Sequence, residues 1–116
     1  MTTTRAAARI HLDGAECARL TSLMELVGRR WASVILFAVG AGAERFTQIE
    51  SAIDGLSARM LAVRLRDLER GGLVDRVVTP TTPVSITYHL TTNGREMLAS
   101  LQAMGRVVRS STPDAG

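Results

Sequence analysis

Four arginines, Arg59, Arg64, Arg66 and Arg70, crowd into the stretch GLSARMLAVRLRDLERGG, residues 55–72. A guanidinium is planar, permanently charged and able to donate two parallel hydrogen bonds, so arginines gathered on one face suit phosphate oxygens or the O6 and N7 edge of guanine. The competing reading is a solvated helix face on which Asp67, near Arg70, and Glu69, near Arg66, offset part of the charge. All fourteen basic residues of the chain are arginine and none is lysine. Such a bias fits a skewed genome as well as it fits phosphate binding, so position along the chain has to decide.

The other residue capable of chemistry is Cys17, the single cysteine. One cysteine cannot form an internal disulfide, and without a CxxC or a close His pair a structural zinc site has no support. His89 has only His11 as a companion. No Ser or Cys nucleophile stands beside a base, and no glycine-rich phosphate loop follows a strand. The residues therefore point away from an enzyme and require no metal and no cofactor.

The 116 residues suit one domain, and the net charge of +3 is modest. No apolar run reaches the roughly 18 residues needed to cross a bilayer, and the start MTTTRAAARIHLDG lacks the apolar centre of a secretory signal. A cytoplasmic protein without membrane contact is expected. Residues 1–12 have no periodicity and the end SSTPDAG is turn-rich, which leaves a domain over residues 13–110 between loose ends at 1–12 and 111–116.

The elements that must carry these side chains follow from spacing. Asp13 reads as an N-cap, after which Cys17, Leu20, Met24 and Val27 recur at helical intervals up to Gly28. RRWASVILFAVGAG is apolar nearly all round from Trp31 to Val39, which predicts a centrally buried second helix ending at Gly40 and Gly42. Phe46, Ile49 and Ile53 mark a short third helix, and DGL turns the chain into Ser57, a good N-cap. In the fourth helix Leu61, Leu65 and Leu68 share one side, while Arg59, Val63, Arg66 and Arg70 lie opposite. LVDRVVTP and SITYHL predict a hairpin with a tip stiffened by Pro80 and Pro83. Thr91 caps a last helix in which Met97, Leu101, Met104 and Val108 repeat at spacings of a heptad-like seam.

This order predicts a mainly α fold with a small β-hairpin wing, a winged helix-turn-helix, whose fourth helix enters the major groove of double-stranded DNA. Ser57, Arg59, Met60, Val63, Arg64 and Arg66 are then the DNA-facing candidates on that helix. Arg59 stands nearest the N-cap, where base edges are read. Arg29, Arg30, Thr47, Gln48 and Arg76 are candidates for phosphate contacts. Trp31 reads as space-filling at a junction.

GRRW at 28–31, ERFTQIE at 44–50, GLSARMLAVRLRDLERGGLVDR at 55–76, PTTPVSITYHLT at 80–91 and GREML at 94–98 together resemble the HxlR-type helix-turn-helix regulators, relatives of the MarR group. The resemblance runs from Cys17 to about Leu101. It implies a winged-helix fold, a homodimeric bacterial transcription regulator and, at the position of Cys17, a cysteine that in several members senses oxidants or electrophiles. Three departures stand out: Ala18 replaces the proline that usually follows that cysteine, no second thiol exists near the C-terminus, and Ser85 stands where a basic wing residue is common.

The amphipathic helices at both ends present more apolar surface than one small winged domain covers, so Leu20, Met24, Leu101, Met104 and Val108 are expected to pack across the two-fold axis of a homodimer. Such a dimer would hold its recognition helices about 34 Å apart on a pseudo-palindromic operator. The alternative is a winged-helix module that binds protein and only weakly binds DNA. It draws on six arginines against five acids over residues 45–76 and on the missing wing cation. Two readings of Cys17 also stand: a sensing thiol in the first turn of a helix beside Arg19, or a partly buried member of the apolar stripe, with any small-molecule signal bound elsewhere.

Overall fold

The computed structural model describes residues 13–111, so the expected loose ends and His11 lie outside the described residues, apart from residue 111. Helix α1 spans Gly14–Gly28, α2 Ala32–Gly40, α3 Phe46–Ala52 and α4 Ala58–Arg70; strands β1 (Val74–Thr79) and β2 (Ser85–Leu90) follow, and α5 runs Thr92–Ser111. The elements are those of a winged helix-turn-helix, five helices and a two-stranded antiparallel hairpin.

Local chemistry sets the boundaries. Asp13 accepts from the Glu16 amide at 2.7 Å while Glu16 reaches back to the Asp13 amide, a capping box that starts α1. Ser57 Oγ accepts from the Met60 amide at 3.1 Å and starts α4. Gly72, at φ 76°, turns the chain out of α4 into β1 in a conformation that disfavours a side chain. Thr91 anchors the other end of the hairpin: its hydroxyl donates to the Gly72 carbonyl at 2.6 Å and accepts from the Gly94 amide at 2.9 Å. Gly94 packs so tightly on this turn that a Cβ there would collide with the Leu73 carbonyl oxygen.

Helix α2 is the hub, packed by α1, α3, α4, α5 and β2. Its Ala32, Ile35, Leu36 and Val39 are buried together with Ile49, Leu56, Leu61, Leu65, Leu68, Leu73 and Val74. Two expectations need correction here. The second helix begins after Trp31, which is its N-cap in a left-handed conformation at φ 78°, rather than including it. Nor is it buried all round, since Val34 and Phe37 are exposed on one side. The run from Trp31 to Val39 is uniformly apolar, so it carries no periodicity to reveal the open side.

In the hairpin, Val74 pairs with Leu90 and the register continues to Thr79 opposite Ser85. The Tyr88 amide donates to the Glu44 carbonyl at 2.7 Å, which ties the wing to the α2–α3 loop. From Val77 to Thr87 the wing carries no charged side chain.

Candidate nucleic-acid interface

The turn between α3 and α4 and the cap at Ser57 present α4 with its leucines inward. Leu61, Leu65 and Leu68 are fully buried, while Arg59, Val63, Arg66 and Arg70 are exposed, as the rotation of about 100° per residue requires. Each inward leucine contributes roughly 1.5–3 kcal/mol by burial, and that energy fixes the side on which the arginines must stand. Arg66 and Arg76 line a hollow of about 370 Å³ between α4 and the wing base, together with Tyr88 and Glu69. Arg76 stands directly opposite Tyr88 in the hairpin. An exposed row of cations from Arg59 to Arg76 suits a polyanion with regularly spaced charges.

Other expected interface residues are placed differently. Met60 is half-buried and packs against the core instead of lying on the exposed face. Arg64 is turned away from the arginine face: its side chain is only 16% exposed, its Nε donates to the Arg30 carbonyl at 2.8 Å and its guanidinium pairs with Asp67 at 3.3 Å. The cause is its angle on α4, on the flank between the buried leucines and the open side. Arg29 also pairs with Asp67, at 3.0 Å, and the Arg30 guanidinium stacks over the Trp31 ring at 4.9 Å. Gln48 accepts from the Glu44 and Arg45 amides at 3.2 and 3.0 Å, so its oxygen caps α3 and only its amide nitrogen remains for another partner. Thr47 is exposed beside it.

Sequence proximity sets Asp67 near Arg70, whereas the structure pairs it with Arg64 and Arg29. The i, i+3 spacing to Arg64 was readable. The bond to Arg29, across 38 positions, was not.

A second open surface lies between α1 and α5. Met24 is 52% exposed, Leu20 48% and Met104 56%, beside a cleft of about 600 Å³ whose walls include Val27, Trp31, Met97 and Leu101. Val108 is exposed as well. Cys17 is exposed on the same helix, which corrects the expectation of a partly buried thiol. The stripe of Cys17, Leu20 and Met24 faces outward, and it is Leu23, Leu26 and Val27 that turn toward the core. Among the described residues no helix is long and apolar enough to cross a membrane, and no cluster of metal-binding side chains forms.

Comparison with known proteins follows the same lines. The family model for the HxlR-like helix-turn-helix matches residues 26–114. The chain is 41% identical over 81 residues to the HTH-type transcriptional regulator YvaP of Bacillus subtilis (strain 168), covering 70% of this chain and 75% of that one. The reduced form of the transcriptional regulator YodB from B. subtilis superposes with a TM-score of 0.73 at 35% identity, over 80% of this chain and 91% of YodB. The quinone-bound form of YodB superposes at 0.70 and 32% identity, over 81% and 99% of the two chains.

Proposed function

The chain belongs to the HxlR-like helix-turn-helix family and is a transcriptional regulator of the HTH type; from that premise we propose that it works as a homodimer on a pseudo-palindromic DNA operator. The observation that carries this reading is the division of α4 into a sealed leucine side and an exposed side bearing Arg59, Arg66 and Arg70. In the major groove, Arg59 in the first turn of α4 reads a base edge, while Arg66 and Arg76 hold the phosphate backbone beside it. The outer wing, uncharged from Val77 to Thr87, supplies shape and hydroxyl groups from its threonines in place of a cation.

A second copy of the chain covers the α1–α5 surface. Leu20, Met24 and Met104 are too exposed and too close together to be scattered surface residues, and a two-fold axis through this surface brings two recognition helices to one face, about 34 Å apart. Cys17 lies on the same helix and is accessible. Since YodB, a relative by fold and sequence, has a quinone-bound form, Cys17 is the residue through which an electrophile reaches this dimer. Its thiolate sulfur adds to a ring carbon of the quinone as the C=C π bond opens, the thiol proton and the displaced ring proton pass to the two oxygens to leave a hydroquinone thioether, and the bulk added to α1 displaces the two recognition helices relative to each other.

The test is equilibrium binding to the duplex upstream of the protein's own reading frame, with a scrambled duplex as control, with and without a benzoquinone. Tighter binding to the upstream duplex, relieved by quinone in the wild type and not in Cys17→Ser, supports both parts. Equal response of the two proteins removes Cys17 from the signal and leaves DNA binding in place.

A further inference from the structure

Asp67 and Arg64 face neither the exposed arginine row nor the leucine core, yet both are 84% withdrawn from solvent, at 16% exposure each. One carboxylate oxygen of Asp67 accepts from Arg29 at 3.0 Å and from Arg64 at 3.3 Å, and Arg64 donates a further hydrogen bond to the Arg30 carbonyl at 2.8 Å. Two of these bonds, Arg29 to Asp67 and Arg64 to the Arg30 carbonyl, join α4 to the turn between α1 and α2, and the third, Arg64 to Asp67, ties the two within α4. That turn continues into Trp31, whose ring carries the Arg30 guanidinium at 4.9 Å and whose backbone is held at φ 78°. Arg29, Arg30 and Trp31 also line the α1–α5 cleft. Arg29 and Arg30 therefore touch the proposed dimer surface on one side and the recognition helix on the other, with Trp31 beside them in the cleft wall.

Building on the DNA-binding reading above, we infer that Asp67 and Arg64 are positioning residues that lock the rotation of α4 to the wall of the dimer cleft. Leucine burial fixes which side of α4 faces the core but is non-directional and sets the last degrees of its rotation only loosely; charge-assisted hydrogen bonds to a carbonyl are directional and set those degrees. On a helix about 10–12 Å wide, a rotation of about 10° carries a surface atom by about 1 Å, enough to spoil a bidentate contact. The second copy that fills the cleft sets the Arg29–Trp31 turn, and the turn sets where Arg59 points.

Trp31 is the only tryptophan, so red-edge-excited emission reports on this joint alone, without Tyr88. The variants are Asp67→Asn, which weakens both ion pairs, and Arg64→Lys, which keeps a cation for Asp67 and removes the guanidinium Nε that reaches Arg30. In each, acrylamide quenching of Trp31 is expected to rise about twofold at unchanged helix content, as the turn loosens. Operator affinity should fall about tenfold while affinity for scrambled duplex holds. If Asp67→Asn does not fold, Arg64→Lys carries the test alone. Wild-type quenching in the folded variants overturns the inference whether or not the protein binds DNA. Raised quenching in a protein whose wild type ignores the upstream duplex supports the joint and counts against the DNA reading. Equal loss on operator and scrambled DNA overturns the positioning role.

Discussion

Helices α4 and α1 look alike as strings, since each carries apolar residues at helical intervals, and they end in opposite circumstances. On α4 the stripe of Leu61, Leu65 and Leu68 is sealed and the arginines take the open side. On α1 the stripe of Cys17, Leu20 and Met24 is open, because a second apolar set, Leu23, Leu26 and Val27, meets the core. Periodicity tells which side chains share a side. It does not tell what covers that side when a helix is apolar over more than half its circumference. α4 has a single apolar side, so its fate was decided locally; α1 has two, and only the packing of the rest of the domain chose between them.

The two helices should differ most at the sealed stripe. Leu61→Ala should lower unfolding free energy by about 2–5 kcal/mol, the cost of a large-to-small change at a site with no exposure, and urea unfolding should show that loss at every protein concentration. An open stripe behaves otherwise. Met24→Asp places a charge where a second copy is proposed to sit, and should raise the dimer dissociation constant by about a hundredfold, or about 2.7 kcal/mol, with little change in helix content. Sedimentation over a concentration series reads it. A Met24→Asp protein that unfolds as a monomer, or that sediments like the wild type, breaks the contrast between the two helices.

On the exposed side of α4 the effects are smaller and differ in kind. Arg59→Ala should cost about 1–3 kcal/mol on the operator and flatten preference at one position per half-site, with scrambled duplex bound as before. Arg66→Ala should weaken both duplexes alike and reduce the slope of log Kobs against log salt by about 1. Anisotropy titrations on both duplexes separate the two. The reverse assignment, with Arg66 selective and Arg59 uniform, would move base readout toward the wing end of α4.

Much of this molecule is legible in its local sequence. Caps at Asp13, Ser57 and Thr91 are local chemistry, and each sits where its side chain says it should. The leucine period of α4 and the strand pattern of the hairpin needed no tertiary knowledge either. What escaped depended on distance along the chain or on absent contrast. The Asp67–Arg29 bond spans 38 positions. The open side of α2 hid in a uniformly apolar run, and the exposure of Cys17 depended on which of two apolar sides α1 would bury. Arg64 lay at an angle that placed it on the flank of α4, and its charge alone made it look like its neighbours.

The most direct measurement of the central claim is the salt dependence of wild-type binding to the duplex upstream of its own reading frame, against a scrambled duplex. A regulator that grips phosphates through Arg66, Arg76 and their neighbours should lose affinity steeply on both duplexes as salt rises, with log Kobs falling by about 0.9 per log unit of salt for each phosphate neutralised. It should also keep a preference for the upstream sequence that salt does not erase. Binding that is indifferent to salt, or absent at low salt on either duplex, would contradict a DNA-binding α4 and favour a winged-helix module whose partner is another protein.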